Sequence, residues 1–211
     1  MSTLRSASAT RETILAAARR LVGQVGPSVT LEDIADEAGV SRQTLYVHFG
    51  SRSGLLIALV QHMDESGVLH ELLQGVFDAA TAAEALDAVA NVHAEYHPIA
   101  YSVARVFMTG RREDEAIVAA WEERMASRRN LYGGVIDRLD REGQLSPVWN
   151  RATATDVILA LTSWELWEVL VVDRGWTKSQ YLRHLRTLLR RALLDPDDLS
   201  RLPQVDAGGV D

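Results

Sequence analysis

Apolar residues recur along most of this chain at intervals of three and four, which places them on one side of a helix. From Thr81 onward no stretch carries a strand or hairpin signal. From about Thr10 to Val25, the residues Ile14, Leu15, Ala18, Leu21, Val22 and Val25 share one face, and Gly26-Pro27 stops the helix. Residues 1–9, small and polar with one arginine, are predicted to form an unstructured arm. A second helix opens on Thr30 as N-cap, with Asp33 three positions on, and turns Leu31, Ile34, Ala35 and Ala38 inward. Gly39 suits the left-handed conformation that reverses the chain, Val40 plugs the corner, and Ser41 caps a third helix. That helix is expected to bury Leu45 and Phe49 and to present Arg42, Gln43, Thr44, Tyr46, Val47 and His48 around its other surface. Gly50 ends it. Ser51 then caps a fourth helix, which continues through Leu55, Leu56, Leu59, Val60 and Met63 to about Leu73.

Five more helices are predicted beyond Thr81, at about Ala82–His97, Pro98–Thr109, Asp114–Glu142, Ala152–Asp173 and Lys178–Leu194. Pro98 separates the fifth from the sixth because it cannot donate a backbone hydrogen bond, and Gly133-Gly134 is expected to kink the seventh. Ser146-Pro147 marks a loop. The eighth contains VILALTSWELWEVLVV, apolar on nearly every side and relieved chiefly by Glu165 and Glu168, so a single interior face cannot satisfy it. The ninth carries Tyr181, Leu182, Leu185, Leu188, Leu189, Ala192 and Leu193 on a broad stripe. Pairing of the eighth and ninth helices with their copies in a second subunit would bury the surplus as a four-helix bundle. Leu161, Leu182, Leu185 and Leu189 are then expected at the interface. The predicted architecture is all-α with about nine helices: a module at 1–60, a helical body at 61–194 and a flexible tail at 195–211.

With 211 residues and 47% apolar composition the chain can bury a substantial core. The absence of cysteine removes disulfides, thiolate zinc sites and cysteine nucleophiles. No stretch approaches the ~20 apolar residues that cross a bilayer, so a cytoplasmic protein without a membrane partner is expected. A net charge of -7 taken alone argues against nucleic acid, but the charge is uneven. Residues 1–60 hold six arginines against five acids, net +1, while the remainder holds 16 bases against 24 acids, net -8. A module relieved of the acidity of the body can meet DNA while the body repels non-specific contact.

The stretch TLEDIADEAGVSRQTLYVHFGSRSGLL, from Thr30 onward, joins two short helices through a glycine turn and so reads as a helix-turn-helix. It resembles the TetR family of bacterial transcriptional regulators: a threonine-opened helix, an Ala-x-x-x-Gly-Val turn and a Ser-x-x-Thr-Leu-Tyr-x-His-Phe recognition helix. The resemblance covers roughly residues 10–60, and LTSWELWEVLVVDRGWT is similar to a later segment of many members. It implies a three-helix DNA-binding domain followed by an all-helical ligand-binding and dimerisation domain. Two departures stand out. Arg52 occupies the place of a common lysine at the start of the fourth helix, and Ser53-Gly54 replaces the usual acid and alanine. Glycine costs a helix about 1 kcal/mol relative to alanine, so a loose start to the fourth helix is expected.

A recognition helix in the major groove meets a distinct donor and acceptor pattern at each base pair. Arg42 suits guanine, Gln43 adenine, and the Thr44 methyl or Val47 a thymine methyl. These four are the candidate base readers. Thr30, Ser41, Tyr46, His48 and Arg52 are expected to hold phosphates, with Arg5 and Arg11 adding contact from the arm.

In TetR-like proteins a small-molecule pocket lies in the second domain, and the resemblance implies one here. His93, Tyr96, Phe107, Met108, Trp121, Met125, Trp164 and Glu165 are the candidate lining, suited to an aromatic or lipophilic effector with Glu165 or His93 as anchor. Taken singly, each aromatic reads first as a core residue. His93 and His97 stand one helical turn apart, a spacing that can hold a metal, but no third ligand is defined and no metal or cofactor is expected. No catalytic motif appears. The expected function is a homodimeric repressor that leaves a palindromic operator when an effector binds. The alternatives are a regulator of the same fold acting as an activator or without an effector, a metal-dependent helical enzyme built on His93 and His97, or a sequence-indifferent DNA-packaging protein.

Overall fold

The computed structural model describes residues 2–65, 67–110 and 114–195, with side chains from residue 7. Among these residues the fold is all-α, and the one bridge outside the helices pairs Leu145 with Leu194. The helices are α1 (Ser2–Val25), α2 (Leu31–Ala38), α3 (Arg42–Phe49), α4 (Arg52–Glu65), α5 (Val68–Phe77), α6 (Ala82–Gly110), α7 (Glu115–Arg141), α8 (Arg151–Leu161), α9 (Trp164–Trp167) and α10 (Lys178–Leu193). A 3-10 turn, Gly26–Ser28, follows α1, and a π-helical segment, Glu168–Asp173, follows α9. The described residues divide into two compact units, one within residues 1–67 and 100–124 and the other within 68–99 and 125–211, so α6 and α7 contribute to both.

In the first unit Ile14, Leu15, Ala18 and Val22 of α1, Ile34 and Ala35 of α2, Leu45 of α3 and Leu55, Leu56 and Leu59 of α4 are all buried. Leu45 is the one buried residue of α3 and anchors an otherwise exposed helix, a site where truncation to alanine costs about 2–5 kcal/mol. The capping box between Thr30 and Asp33 forms, Gly39 adopts φ +66°, and Ser41 Oγ accepts the Thr44 N–H. Three expectations are corrected. Helix α1 begins at Ser2, not near Thr10, because no glycine or proline interrupts the chain before Gly23 and the first nine residues extend the helix. Phe49 is half-buried, with the Arg11 guanidinium 5.4 Å above its ring. The fourth helix ends at Glu65, because Gly67 takes φ +85° and a separate α5 starts at Val68.

The loose start expected for α4 is also corrected. A Cβ at Gly54 would stand 2.1 Å from the Phe49 carbonyl oxygen, so the glycine allows α3 and α4 to approach closely. Its N–H is capped by Ser51 Oγ at 3.0 Å.

In the second unit α10 is fastened to α6 by the Lys178–Glu95 pair at 2.9 Å and by Arg190, which grips the carboxylate of Asp87. Pro98 does not divide the fifth predicted helix from the sixth. It is exposed within a continuous α6, whose residues His93, Ala94, Tyr96 and His97 are buried and offset the missing backbone bond. Helix α7 is unbroken through Gly133-Gly134. A Cβ at Gly133 would meet Arg151 Nη2 at 2.6 Å, and Arg151 crosses there to reach Asp137 at 2.5 Å. The predicted eighth helix is interrupted at Thr162-Ser163, where Ser163 caps the short α9. The predicted tail beyond Asp195 lies outside the described residues.

Candidate nucleic-acid interface and buried polar cluster

Helix α3 presents its polar face because Leu45 alone pins it to the core and Ser41 fixes its first turn. Arg42 and Gln43 are exposed, Val47 is 78% exposed, and Tyr46 is 48% exposed. Val47 thus stands bare between Tyr46 and His48 on the outer face of the helix. Arg42 lies 4.0 Å from Glu32 with both side chains exposed, a contact too weak to hold it. Thr44 is half-buried, its hydroxyl 2.9 Å from that of Ser41. The Thr30 hydroxyl donates to Asp33 at 2.6 Å, and this bond, followed by the backbone N–H of Thr30, holds the Asp33 carboxyl below its usual range. His48 is half-buried beside Phe49, with ring centroids 6.1 Å apart. The side chain of Arg5 lies outside the described residues.

Arg52 faces inward. Its Nη2 donates to the carbonyl of Pro27 at 2.9 Å and its Nε to that of Val29 at 3.3 Å, so the guanidinium straps the start of α4 to the turn after α1. Next to it, the Ser53 hydroxyl donates to Asp114 Oδ2, while Asp114 Oδ1 accepts the N–H groups of Ala116 (2.9 Å) and Ile117 (3.1 Å). These bonds, the Ser53 hydroxyl foremost, lower the Asp114 carboxyl, with the charge of Arg52 adding to the effect. Nothing in the sequence pattern joined Ser53 to a residue 61 positions away.

The residues proposed to line an effector site divide between the two units. Phe107 (buried), Met108 and Trp121 fall in the first, and His93, Tyr96, Met125, Trp164 and Glu165 in the second. Glu165 is exposed, which removes it as a buried anchor. Leu185 and Leu189, expected at a subunit interface, are buried by the chain itself, at 2% and 0% exposure. Leu161 and Leu182 are half-buried, and the apolar side chains standing most exposed nearby are Val169, Val172 and Leu188.

His93 belongs to a buried polar cluster in the second unit. His93 Nδ1 is 2.7 Å from His97 Nε2, and its Nε2 is 2.6 Å from the Tyr132 hydroxyl. Arg128 closes the cluster: Nη2 donates to the carbonyl (2.8 Å) and hydroxyl (3.0 Å) of Thr162, and Nε to the Tyr132 oxygen at 3.4 Å. The break between α8 and α9 thereby has its orphan carbonyl satisfied. It also lays Trp164 flat on His97, with centroids 3.9 Å apart at 25°, and sets Trp167 edge-on at 5.9 Å. Burial drives both imidazoles well below their ordinary pKa, with the nearby Arg128 charge adding to the effect, so both are neutral. The two rings spend their facing nitrogens on each other. Among the described residues no three His, Cys, Asp or Glu side chains are grouped to hold a metal ion. His97, Arg128, Tyr132 and Tyr181 were absent from the expected site. The His93 and His97 spacing was a signal for part of the cluster, while Arg128, Tyr132 and Tyr181 come from other helices.

Residues 14–59 match the family model of bacterial regulatory proteins, tetR family. No curated protein sequence matches the chain. Among solved structures, a protein of Saccharomonospora viridis in complex with choline superposes with TM-score 0.76 at 20% identity, covering 89% of this chain and 99% of the other. FadR of Bacillus subtilis in complex with stearoyl-CoA gives 0.69 at 19% identity, over 84% and 96%. NalD, the secondary repressor of the MexAB-OprM multidrug efflux pump in Pseudomonas aeruginosa, gives 0.67 at 21%, over 90% and 98%. At these identities the likeness is one of fold.

Proposed function

We propose that this chain, which belongs to the tetR family of bacterial regulatory proteins, is a homodimeric repressor that reads a palindromic operator with α3 and is released from it by a small molecule held in the second unit. The observation that carries the reading is the surface of α3, where Arg42, Gln43, Tyr46 and Val47 stand exposed on a helix fixed by one buried leucine and a serine cap. Arg42, Gln43, Thr44 and Val47 read bases; Thr30, Ser41, Tyr46 and His48 hold phosphates. One α3 covers only half a site. Two copies must meet half-sites about one helical turn apart or a multiple, roughly 34–36 Å per turn.

Release follows from a shift of α4 that changes this separation. Two contacts on α4 support that role: the Arg52 strap to the turn after α1 and the Ser53 bond to Asp114 at the start of α7. Helix α7 also carries Arg128 and Tyr132 of the buried polar cluster. The choline and stearoyl-CoA bound to two proteins of similar fold support a small-molecule effector here. The unpaired polar atoms of the second unit favour a ligand-responsive regulator over an effector-free one. No helix of the described residues is long and apolar enough to cross a membrane.

Selection of bound sequences from a random DNA pool tests the reading. An inverted repeat protected on two successive major-groove faces is the expected result; sequence-indifferent binding would overturn it.

A further inference from the structure

Four buried side-chain polar atoms have no hydrogen-bond partner among the described residues, and two of them, His97 Nδ1 and the Tyr181 hydroxyl, belong to neighbouring rings 6.4 Å apart. Both residues are 1% exposed. An unsatisfied buried polar group is costly, so a pair of them side by side needs an explanation.

The charged donor Arg128 at one end of the hydrogen-bond chain favours one direction of proton donation along it. Arg128 Nε donates to the Tyr132 oxygen, so the phenol gives its own proton to its closest acceptor, His93 Nε2 at 2.6 Å. A neutral His93 that accepts at Nε2 carries its proton on Nδ1 and donates it to His97 Nε2. A neutral His97 that accepts at Nε2 must in turn carry its proton on Nδ1, the unpaired atom. Tyr181, its ionisation pushed up by burial, keeps its proton and is a second donor. The one charged side chain hydrogen-bonded into the cluster is the Arg128 guanidinium, and its charge adds to the lowering of both histidines, so the field at His97 is positive.

We propose that His97 Nδ1–H and the Tyr181 O–H form a receptor for a carboxylate group of the effector, whose apolar body lies against Trp164 and Trp167. This rests on the effector-responsive reading above and narrows it to an organic acid. The aromatic surround alone would equally suit a quaternary ammonium, but two donors in a positive field repel a cation. The π-helical Glu168–Asp173 segment directly after Trp167 is the irregular backbone that accompanies such sites.

The test uses the full-length protein without DNA, titrated with sodium octanoate and sodium benzoate and, as the cationic control, octyltrimethylammonium, followed by tryptophan fluorescence and calorimetry. A carboxylate is expected to bind with a Kd below about 10 mM, the range for a ligand of about ten heavy atoms. Tyr181→Phe and His97→Phe should each weaken it about tenfold or more. Tyr181→Phe removes a hydroxyl that has no partner, so its thermal midpoint should match or exceed the parent's, and weaker binding in that variant is not misfolding. Absence of carboxylate binding, binding unchanged by both substitutions, or preference for the ammonium overturns the proposal. Operator release is scored separately. Carboxylate binding that depends on both residues but leaves the operator complex intact upholds the receptor and sinks the repressor-release reading. Release by compounds indifferent to His97 and Tyr181 does the reverse.

Discussion

The hydroxyl of Ser53, in the first turn of α4, donates a hydrogen bond to the carboxylate of Asp114, which at the same time caps the first turn of α7. One side chain thus holds the starts of two helices. Ser53→Ala and Asp114→Ala are each expected to lower unfolding stability by about 1 kcal/mol, the usual worth of a cap or a hydrogen bond. Because they remove the same bond, the double variant should fall short of the sum by about 0.5 kcal/mol or more. Additive losses in a denaturant double-mutant cycle would show that the bond contributes nothing in solution. The Asp114 carboxyl is held below its usual range, so its contribution is present above the unfolded value near 3.8 and lost as pH falls through the lower folded value.

Gly54 inverts a common rule. An exposed helix glycine replaced by alanine gains up to about 1 kcal/mol from propensity. Here the new Cβ would press on the Phe49 carbonyl oxygen at 2.1 Å, a backbone atom that cannot rotate away. Gly54→Ala is therefore expected to destabilise by about 1–3 kcal/mol, as overpacking does, and to loosen operator binding by displacing α3. An unfolding midpoint at or above the parent's refutes this.

The two arginines of the helix-turn-helix should separate cleanly. Arg42→Ala and Gln43→Ala remove exposed groups, so stability should change by less than about 0.5 kcal/mol, while discrimination at particular base pairs relaxes by about 1–3 kcal/mol. Arg52→Ala breaks the strap to Pro27 and Val29 and should cost about 1–2 kcal/mol of stability. Arg52→Lys should rescue it poorly, because an ammonium cannot reproduce the planar fork that reaches both carbonyls. Base preferences that survive Arg42→Ala and Gln43→Ala together would remove the assignment of the base readers.

Local signals made the helix-turn-helix legible. Thr30, Gly39, Ser41 and Gly50 each act through neighbours within a few positions, and each sits where its chemistry places it. Pro98 and the Thr162-Ser163 break misled because their outcome depends on tertiary contacts. Burial of α6 residues beside Pro98 carries that helix through, whereas Arg128 satisfies the Thr162 carbonyl and lets α8 stop. The same limit applies to the buried cluster. His93 and His97 are visible as an i, i+4 pair, but their hydrogen-bond direction depends on Arg128 and Tyr132 in α7, and the unpaired donors appear only when Tyr181 of α10 is set beside them.

The neutral His93 and His97 pair also makes stability pH-dependent. Both groups have folded pKa values pushed well below the ordinary 6.5, first by burial. Well above pH 6.5 neither state binds these protons and the folded protein is unaffected. As pH falls below that value the unfolded chain takes up protons that the native state refuses, so stability declines until the folded values are reached. Each histidine contributes a slope of up to about 1.4 kcal/mol per pH unit, and the pair about twice that. Denaturant unfolding followed from pH 7.5 to 5 should show this loss, and His97→Phe should make it shallower by about one proton. An acid loss that is equally steep in His97→Phe would mean that other groups cause it, and that His97 is not held neutral in the fold.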